Sequence, residues 1–287
     1  MGDDLFVYRN MFSLMQYLTI RKQQLCSDNT AVTLDTTYAD HKEDRDIIEK
    51  CCRLGIFTKY INITDLDGVQ FVNIWVSSDV KDELIQCIFK SKFDRCMLLQ
   101  EGVSLFDQNT EYSALNKILI KKSSKQFVTV NSLPTNNGVL KQKIDIDVMS
   151  IVPIISDNVE KIKDIEIERV LFTSPIGEAF DLNNADLENK ITKNISKSVW
   201  VKRHPRDPID WKKLGYKELP QIICSEIYVM LFSDAEKIFM YPSSTQLIRE
   251  DDRFVNLKFS TDNTNYNKQF NNCIKVLGIK DSHIEMI

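Results

Sequence analysis

Short apolar runs that alternate with segments of helical spacing constrain this chain more than any other feature. Leu5-Phe6-Val7-Tyr8 reads as a strand, and after a polar break Met11 to Leu18 carries apolar residues at helical spacing. The alternation recurs, with strands expected at 31–34, 71–76 and 95–99 and helices at 44–52 and 79–89. Strand followed by helix in this order implies a parallel sheet of βαβ units. The regularity lapses over 133–166, at Pro134, the Asn136-Asn137-Gly138 turn and Pro153, and a second series opens at Arg169-Val170-Leu171-Phe172. A boundary in that stretch divides the chain into 1–155 and 156–287. The second series continues with strands at 198–202 and 237–240, a helix at 221–232 and another from about Ser244.

Composition narrows the function. A chain of 287 residues, 43% hydrophobic and 27% charged, is long enough for two cores, and a formal charge of -4 provides no global positive field for nucleic acid. Seven cysteines, an odd number without C-x-x-C spacing, argue against a disulfide framework or a zinc site and fit a reducing cytoplasm. The acidic start Met1-Gly2-Asp3-Asp4 is unlike a signal peptide, and no apolar run approaches the ~20 residues that span a bilayer. The sequence therefore predicts a soluble, cytoplasmic chain. None of the eight glycines falls in G-x-G-x-x-G or G-x-x-x-x-G-K spacing, and G-x-S-x-G and H-E-x-x-H are absent, so dehydrogenase, P-loop and common hydrolase chemistries lose ground.

Ligands of open α/β sheets bind at the carboxyl ends of strands, which makes four segments candidates. In Leu98-Leu99-Gln100-Glu101-Gly102, Glu101 can act as a general base beside a glycine turn, or can simply be a solvated acid. The run from Val199 to Pro208 carries Lys202, Arg203, His204 and Arg206. Its cations suit a phosphate and His204 can donate a proton or a hydrogen bond to one, while a stiff basic loop is the plain reading. Ser243 and Ser244 open a helix after a strand, where an anion site and ordinary N-capping use the same letters. Glu226, within an apolar helix, lies either on a solvent stripe or turned inward toward ribose hydroxyls.

Glu-Gly, His-Pro and Ser-Ser, in that order along the chain, resemble the motifs of bacterial sialyltransferases. The likeness is to the lipooligosaccharide and capsule sialyltransferases of glycosyltransferase family 52 and to related polysialyltransferases. It implies a GT-B architecture, two Rossmann-like domains facing across a cleft. Residues 1–155 would form the acceptor side and 156–287 the nucleotide-sugar domain. It further implies inverting transfer from CMP-sialic acid to a terminal galactose, with α-2,3 linkage the commonest choice. His204 would contact the CMP phosphate and assist its departure, with Lys202 as a further donor contact. Ser243 and Ser244 would bind the phosphate, Glu226, spaced from Pro220, would hold the ribose, and Thr173-Ser174-Pro175 would lie near the nucleotide. The chain departs from the pattern at Gln100, where the family has an acid, which leaves Glu101 as the base.

A monophosphate leaving group can be stabilised by hydroxyls, a helix N-terminus and a cation, so neither a metal nor another cofactor is expected. A metal-dependent glycosyltransferase with a different nucleotide-sugar donor is the rival, on the strength of Asp65-Leu66-Asp67 and Asp145-Ile146-Asp147. A non-catalytic relative with a degenerate base is the other alternative. Lys117, Lys121, Lys122 and Lys125, interleaved with Ile118, Leu119 and Ile120, suit either a solvated helix face or peripheral contact with the inner face of the membrane, where a lipid-linked acceptor would lie. A homodimer rests on family analogy alone.

Overall fold

The computed structural model describes residues 3–36, 42–77, 80–100, 113–128, 139–221, 223–247 and 253–287. The chain divides into two compact units, Met1–Ser156 and Asp157–Ile287.

In the first unit the chain runs β1 (Asp4–Tyr8), α1 (Met11–Lys22), β2 (Thr30–Leu34), α2 (Lys42–Arg53), β3 (Lys59–Tyr60), β4 (Gln70–Ser77) and α3 (Asp82–Lys90). It continues through β5 (Lys92–Leu99), α4 (Ala114–Lys122), β6 (Ser123–Val128), β7 (Leu140–Lys143) and α5 (Val152–Glu160). The strands form one sheet of order β3-β2-β1-β4-β5-β6-β7, parallel at every pairing. β1 and β2 are buried along their whole length, which is why they read as unbroken apolar runs rather than alternating ones. On one face Phe6 stacks on Tyr17 and Phe57, and Trp75 packs against Tyr17 and Phe127. The other face packs Val7, Ile74, Val76 and Leu98 against Leu84, Ile85 and Ile88 of α3.

One carboxylate is enclosed in this core. Asp4 is fully buried and accepts hydrogen bonds from the Asn73 amide (2.8 Å), the Trp75 indole (2.9 Å) and the backbone of Ser27 and Asn73 (both 3.2 Å). Four donors offset the loss of hydration and tie the amino end of β1 to the middle of β4. At the other end of β1 a reciprocal capping box starts α1: Ser13 N–H donates to Asn10 Oδ1 and Asn10 N–H to Ser13 Oγ.

The second unit runs β8 (Arg169–Phe172), α6 (Ile176–Phe180), α7 (Asn184–Asn194), β9 (Trp200–Lys202), β10 (Lys217–Glu218), α8 (Ser225–Leu231), β11 (Glu236–Phe239), β12 (Phe254–Lys258), α9 (Thr264–Leu277) and β13 (Ile284–Met286). Its sheet, again parallel throughout, has the order β10-β9-β8-β11-β12-β13. Counted within each unit, both sheets follow 3-2-1-4-5-6, the doubly wound Rossmann order, with one further strand at the edge of the first. The order reverses between β1 and β4 in one unit and between β8 and β11 in the other, so each sheet has its switch point at its centre. Leu171, Val201, Ile238 and Leu257 bury one face of the second sheet against α7 and α9 through Leu187, Ile191, Tyr266 and Phe270.

Three expected helices begin elsewhere or end early. The segment expected as a helix from residue 79 starts at Asp82, because Asn116 of α4 grips the backbone of Val80, donating to its carbonyl (2.6 Å). The helix expected over 221–232 covers only Ser225–Leu231. The helix expected from Ser244 is, in its described part, a single 3-10 turn, Ser244–Leu247.

Candidate functional site

The expected site residues of the second unit sit at the carboxyl ends of β8, β9 and β11, on both sides of its switch point. Thr173 follows β8, and its N–H extends the ladder by donating to the Lys202 carbonyl (3.1 Å). The Thr173 side chain is buried, and its hydroxyl accepts the backbone N–H of His204 at 2.9 Å. Thr173 thus fixes where the loop after β9 turns. Half-buried Ser174 opens the turn into α6, its carbonyl accepting the N–H of Ile176.

His204 is half-buried, and its Nδ1 accepts the N–H of Arg206 at 3.1 Å. That bond leaves the ring proton on Nε2 of a neutral imidazole. Burial, and then the positive charges of Arg206 and Lys202, push His204 down to about 4. At neutral pH it is therefore a neutral Nε2–H donor. The loop beneath it is rigid: buried Asp207 accepts the Trp211 indole (2.8 Å) and the N–H of Ile209 (3.1 Å), while its own N–H donates to the His204 carbonyl.

Lys202, expected to touch the donor, points into the protein. It is 5% exposed, and its ammonium donates to both the carbonyl and the side-chain Oε1 of Gln221, each at 3.1 Å. Burial pushes it down to about 8, against the opposing pull of the Glu226 carboxylate. Its visible work is to hold the chain ahead of α8. Anchoring at Gln221 also explains the late start of that helix. Cys224, the residue before α8, is kept a protonated thiol by burial and by the Glu226 carboxylate.

Glu226 is not on a solvent stripe. It lies in the first turn of α8, 8% exposed, and its Oε1 accepts the Thr245 hydroxyl at 2.9 Å. Ser243 caps the 3-10 turn: its Oγ accepts the N–H of Thr245 (3.2 Å), and its own N–H donates to Gln246 Oε1 (2.9 Å). The Ser-x-x-Gln spacing supplies one half of a capping box, the Gln246 side chain reaching back to the Ser243 N–H, while the Gln246 N–H donates to the Ser243 carbonyl. Ser243 Oγ also donates to Thr245 Oγ1 at 3.2 Å, so Ser243, Thr245 and Glu226 form one chain of hydrogen bonds. Ser244 contributes the first residue of the turn, and its side chain lies outside the described set. Sequence reasoning missed Thr245, Gln246 and Gln221. The Ser-x-x-Gln spacing was the available signal for Gln246.

In the first unit Gln100 follows β5, 1% exposed, and the side-chain amide of Gln16 in α1 grips it at both ends. Gln16 Nε2 donates to the Gln100 carbonyl (2.8 Å), and the Gln100 N–H donates to Gln16 Oε1 (3.0 Å). Glu101, Gly102 and Asp107 lie outside the described residues. Of the two D-x-D pairs, exposed Asp65 and Asp67 precede β4 and so lie toward the amino edge of the sheet, away from its ligand-binding edge. Asp147 pairs with Lys22 at 2.6 Å and Asp145 with Lys143 at 3.2 Å. Among the described residues no group of three or more His, Cys, Asp or Glu side chains is placed to hold a metal ion. In the lysine cluster, Lys122 lies over the Phe89 ring and Lys125 donates to Gln142. Among the described residues no helix is long and apolar enough to cross a membrane.

The family model described as Glycosyltransferase family 52 matches residues 109–256, a span that holds every candidate of the second unit. No curated protein is significantly similar to the chain. Among solved structures, the chain is similar to that of the α/β-galactoside α-2,3-sialyltransferase from a luminous marine bacterium, Photobacterium phosphoreum, at 12% identity and a TM-score of 0.50. The match covers 99% of this chain and 98% of that one, a likeness of fold over both units. Two Rossmann-like units in one chain are the components of the expected GT-B architecture.

Proposed function

The chain belongs to glycosyltransferase family 52, and from that premise we propose that it is an inverting sialyltransferase, moving sialic acid from CMP-sialic acid to a terminal galactose of a bacterial surface glycan. The observation that carries the reading is the placement of His204 just after β9, next to Thr173 just after β8 and across the switch point from Ser243 after β11. Such a point is where an open α/β sheet accepts a nucleotide.

In this reading an acceptor hydroxyl oxygen attacks the anomeric carbon as the bond from that carbon to the phosphate oxygen breaks, and CMP departs with the bonding pair. The hydroxyl proton passes to Glu101. His204 meets the growing phosphate charge with its Nε2–H, a neutral donor held in one tautomer by Arg206. Ser243 and Ser244 offer hydroxyls to the same phosphate, Glu226 takes the ribose with the carboxylate edge left by Thr245, and Ser174 borders the nucleotide. Lys202 contributes its charge from beneath, through the loop it anchors. No divalent ion has a required part, because a monophosphate leaves. The 3-hydroxyl of galactose is chosen on the family resemblance, and the structurally similar protein is itself a galactoside α-2,3-sialyltransferase.

CMP release from CMP-sialic acid with a galactoside acceptor tests this directly. The rate should depend on the acceptor and be the same in EDTA. Activity abolished by chelation and restored by manganese would transfer the chain to the metal-dependent class.

A further inference from the structure

Thr245 belongs to none of the recognised motifs, yet it is the hinge of the polar network in the second unit. It is 4% exposed and sits between two candidate ligand-binding groups, 2.9 Å from Glu226 Oε1 and 3.2 Å from Ser243 Oγ. Proton counting fixes the direction of the chain. A carboxylate only accepts, so the single hydroxyl proton of Thr245 is committed to Glu226. The contact with Ser243 must then be donated by Ser243, whose oxygen also accepts the Thr245 N–H at 3.2 Å.

We propose that Thr245 is a positioning residue that orients the Glu226 carboxylate toward a ribose and stores the Ser243 hydroxyl proton until a phosphate takes it. The inference rests on the function proposed above and deepens it. When an anion arrives, the Ser243 O–H turns from Thr245 Oγ1 to an anionic oxygen, exchanging a neutral hydrogen bond for a charge-assisted one. Thr245 keeps its bond to Glu226 throughout, so the carboxylate does not move as the phosphate binds. One buried hydroxyl thereby serves both ends of a nucleoside monophosphate.

The test uses calorimetric affinities of the full chain for cytidine, which carries only the ribose end, and for CMP. Thr245→Val keeps the β-branched shape and removes the hydroxyl, leaving a buried carboxylate oxygen without its donor. Loss of a hydrogen bond to a charged group should weaken cytidine and CMP by roughly tenfold each. Thr245→Ser, which restores the hydroxyl, should bind both within about threefold of the wild type, on the same scale. If Thr245 acts through Glu226, Thr245→Val should change cytidine affinity by less than about twofold in a Glu226→Gln background. Wild-type cytidine affinity in Thr245→Val, or multiplicative effects of the two substitutions, would overturn the proposal while CMP binding by the wild type upheld the function. A wild-type chain that bound neither CMP nor cytidine would remove the function and this role together.

Discussion

At the carboxyl ends of β8 and β9 Thr173 holds the His204 backbone, after β11 Ser243 and Thr245 bond to each other and to Glu226 of α8, and His204 and Ser243 stay partly open to solvent. At the matching ends of β1, β2, β4 and β5, the described polar residues Arg9, Asp35, Ser77 and Gln100 are 1–6% exposed. The two sheets share a strand order, so topology does not make this difference. It comes from the loops. In the second unit β9 and β11 are each followed by a short, internally bonded turn that presents a donor. In the first unit the strand end is clamped, most clearly by Gln16 on Gln100, and the candidate base begins one residue beyond the clamp. Equal folds therefore offer different chemistry: preorganised donors for an anion on one side, and on the other a fixed exit from β5 toward a carboxylate.

The sharpest way to break this division of labour is Glu101→Gln. It should lower kcat by about 10²–10⁴-fold, the span of general-base catalysis, while CMP affinity in the second unit stays near that of the wild type. Retention of more than about a tenth of kcat, against that span, would move the base to Asp107 or outside the loop. His204→Ala comes next. Because the ring is a neutral donor in a fixed tautomer, the loss should fall near the lower end, about 10²-fold in kcat, with a smaller change in CMP affinity. A change confined to KM would make His204 a binding group alone.

Much of this comparison was legible in the sequence. The runs that became β1, β2, β4, β5, β8 and β11 are apolar because parallel strands are covered on both faces, and each was expected within a few residues of its place. β6 was not foreseen. Ser123 is at once the C-cap of α4 and the first residue of the strand, so no turn residue separates a lysine-rich helix from Ser-Ser-Lys-Gln-Phe-Val. β12 and the elements after it were likewise unread, although Tyr266, Phe270 and Cys273 of α9 stand at helical spacing; only the three-residue edge strand β13 carries little apolar pattern. In the site, the motif residues were visible as letters but their supports were not. Gln221, Thr245 and Gln16 act through side-chain contacts between residues 19, 2 and 84 positions apart, and only the two-residue link is local enough for sequence spacing to suggest it.

A smaller effect separates the units by pH. His204 titrates at about 4 when folded, against an ordinary value of 6.5. The unfolded chain therefore binds more protons between those values, and stability falls as pH is lowered through that window. The loss is at most about 3 kcal/mol from this group. Urea midpoints at pH 7 and pH 4.5 should differ more for the wild type than for His204→Gln. An identical difference in both would mean that the imidazole is not held neutral.

In the proposed function the nucleotide is bound by the carboxyl ends of the second sheet and not by those of the first. Amide hydrogen exchange of the full chain with and without CMP reads both units at once. CMP should add protection in peptides covering residues 173–176, 203–207 and 243–246, with none at 9–13, 35–36 or 98–100. Protection that appeared at the ends of β1, β2 and β5 and left the His204 and Ser243 loops unchanged would contradict it.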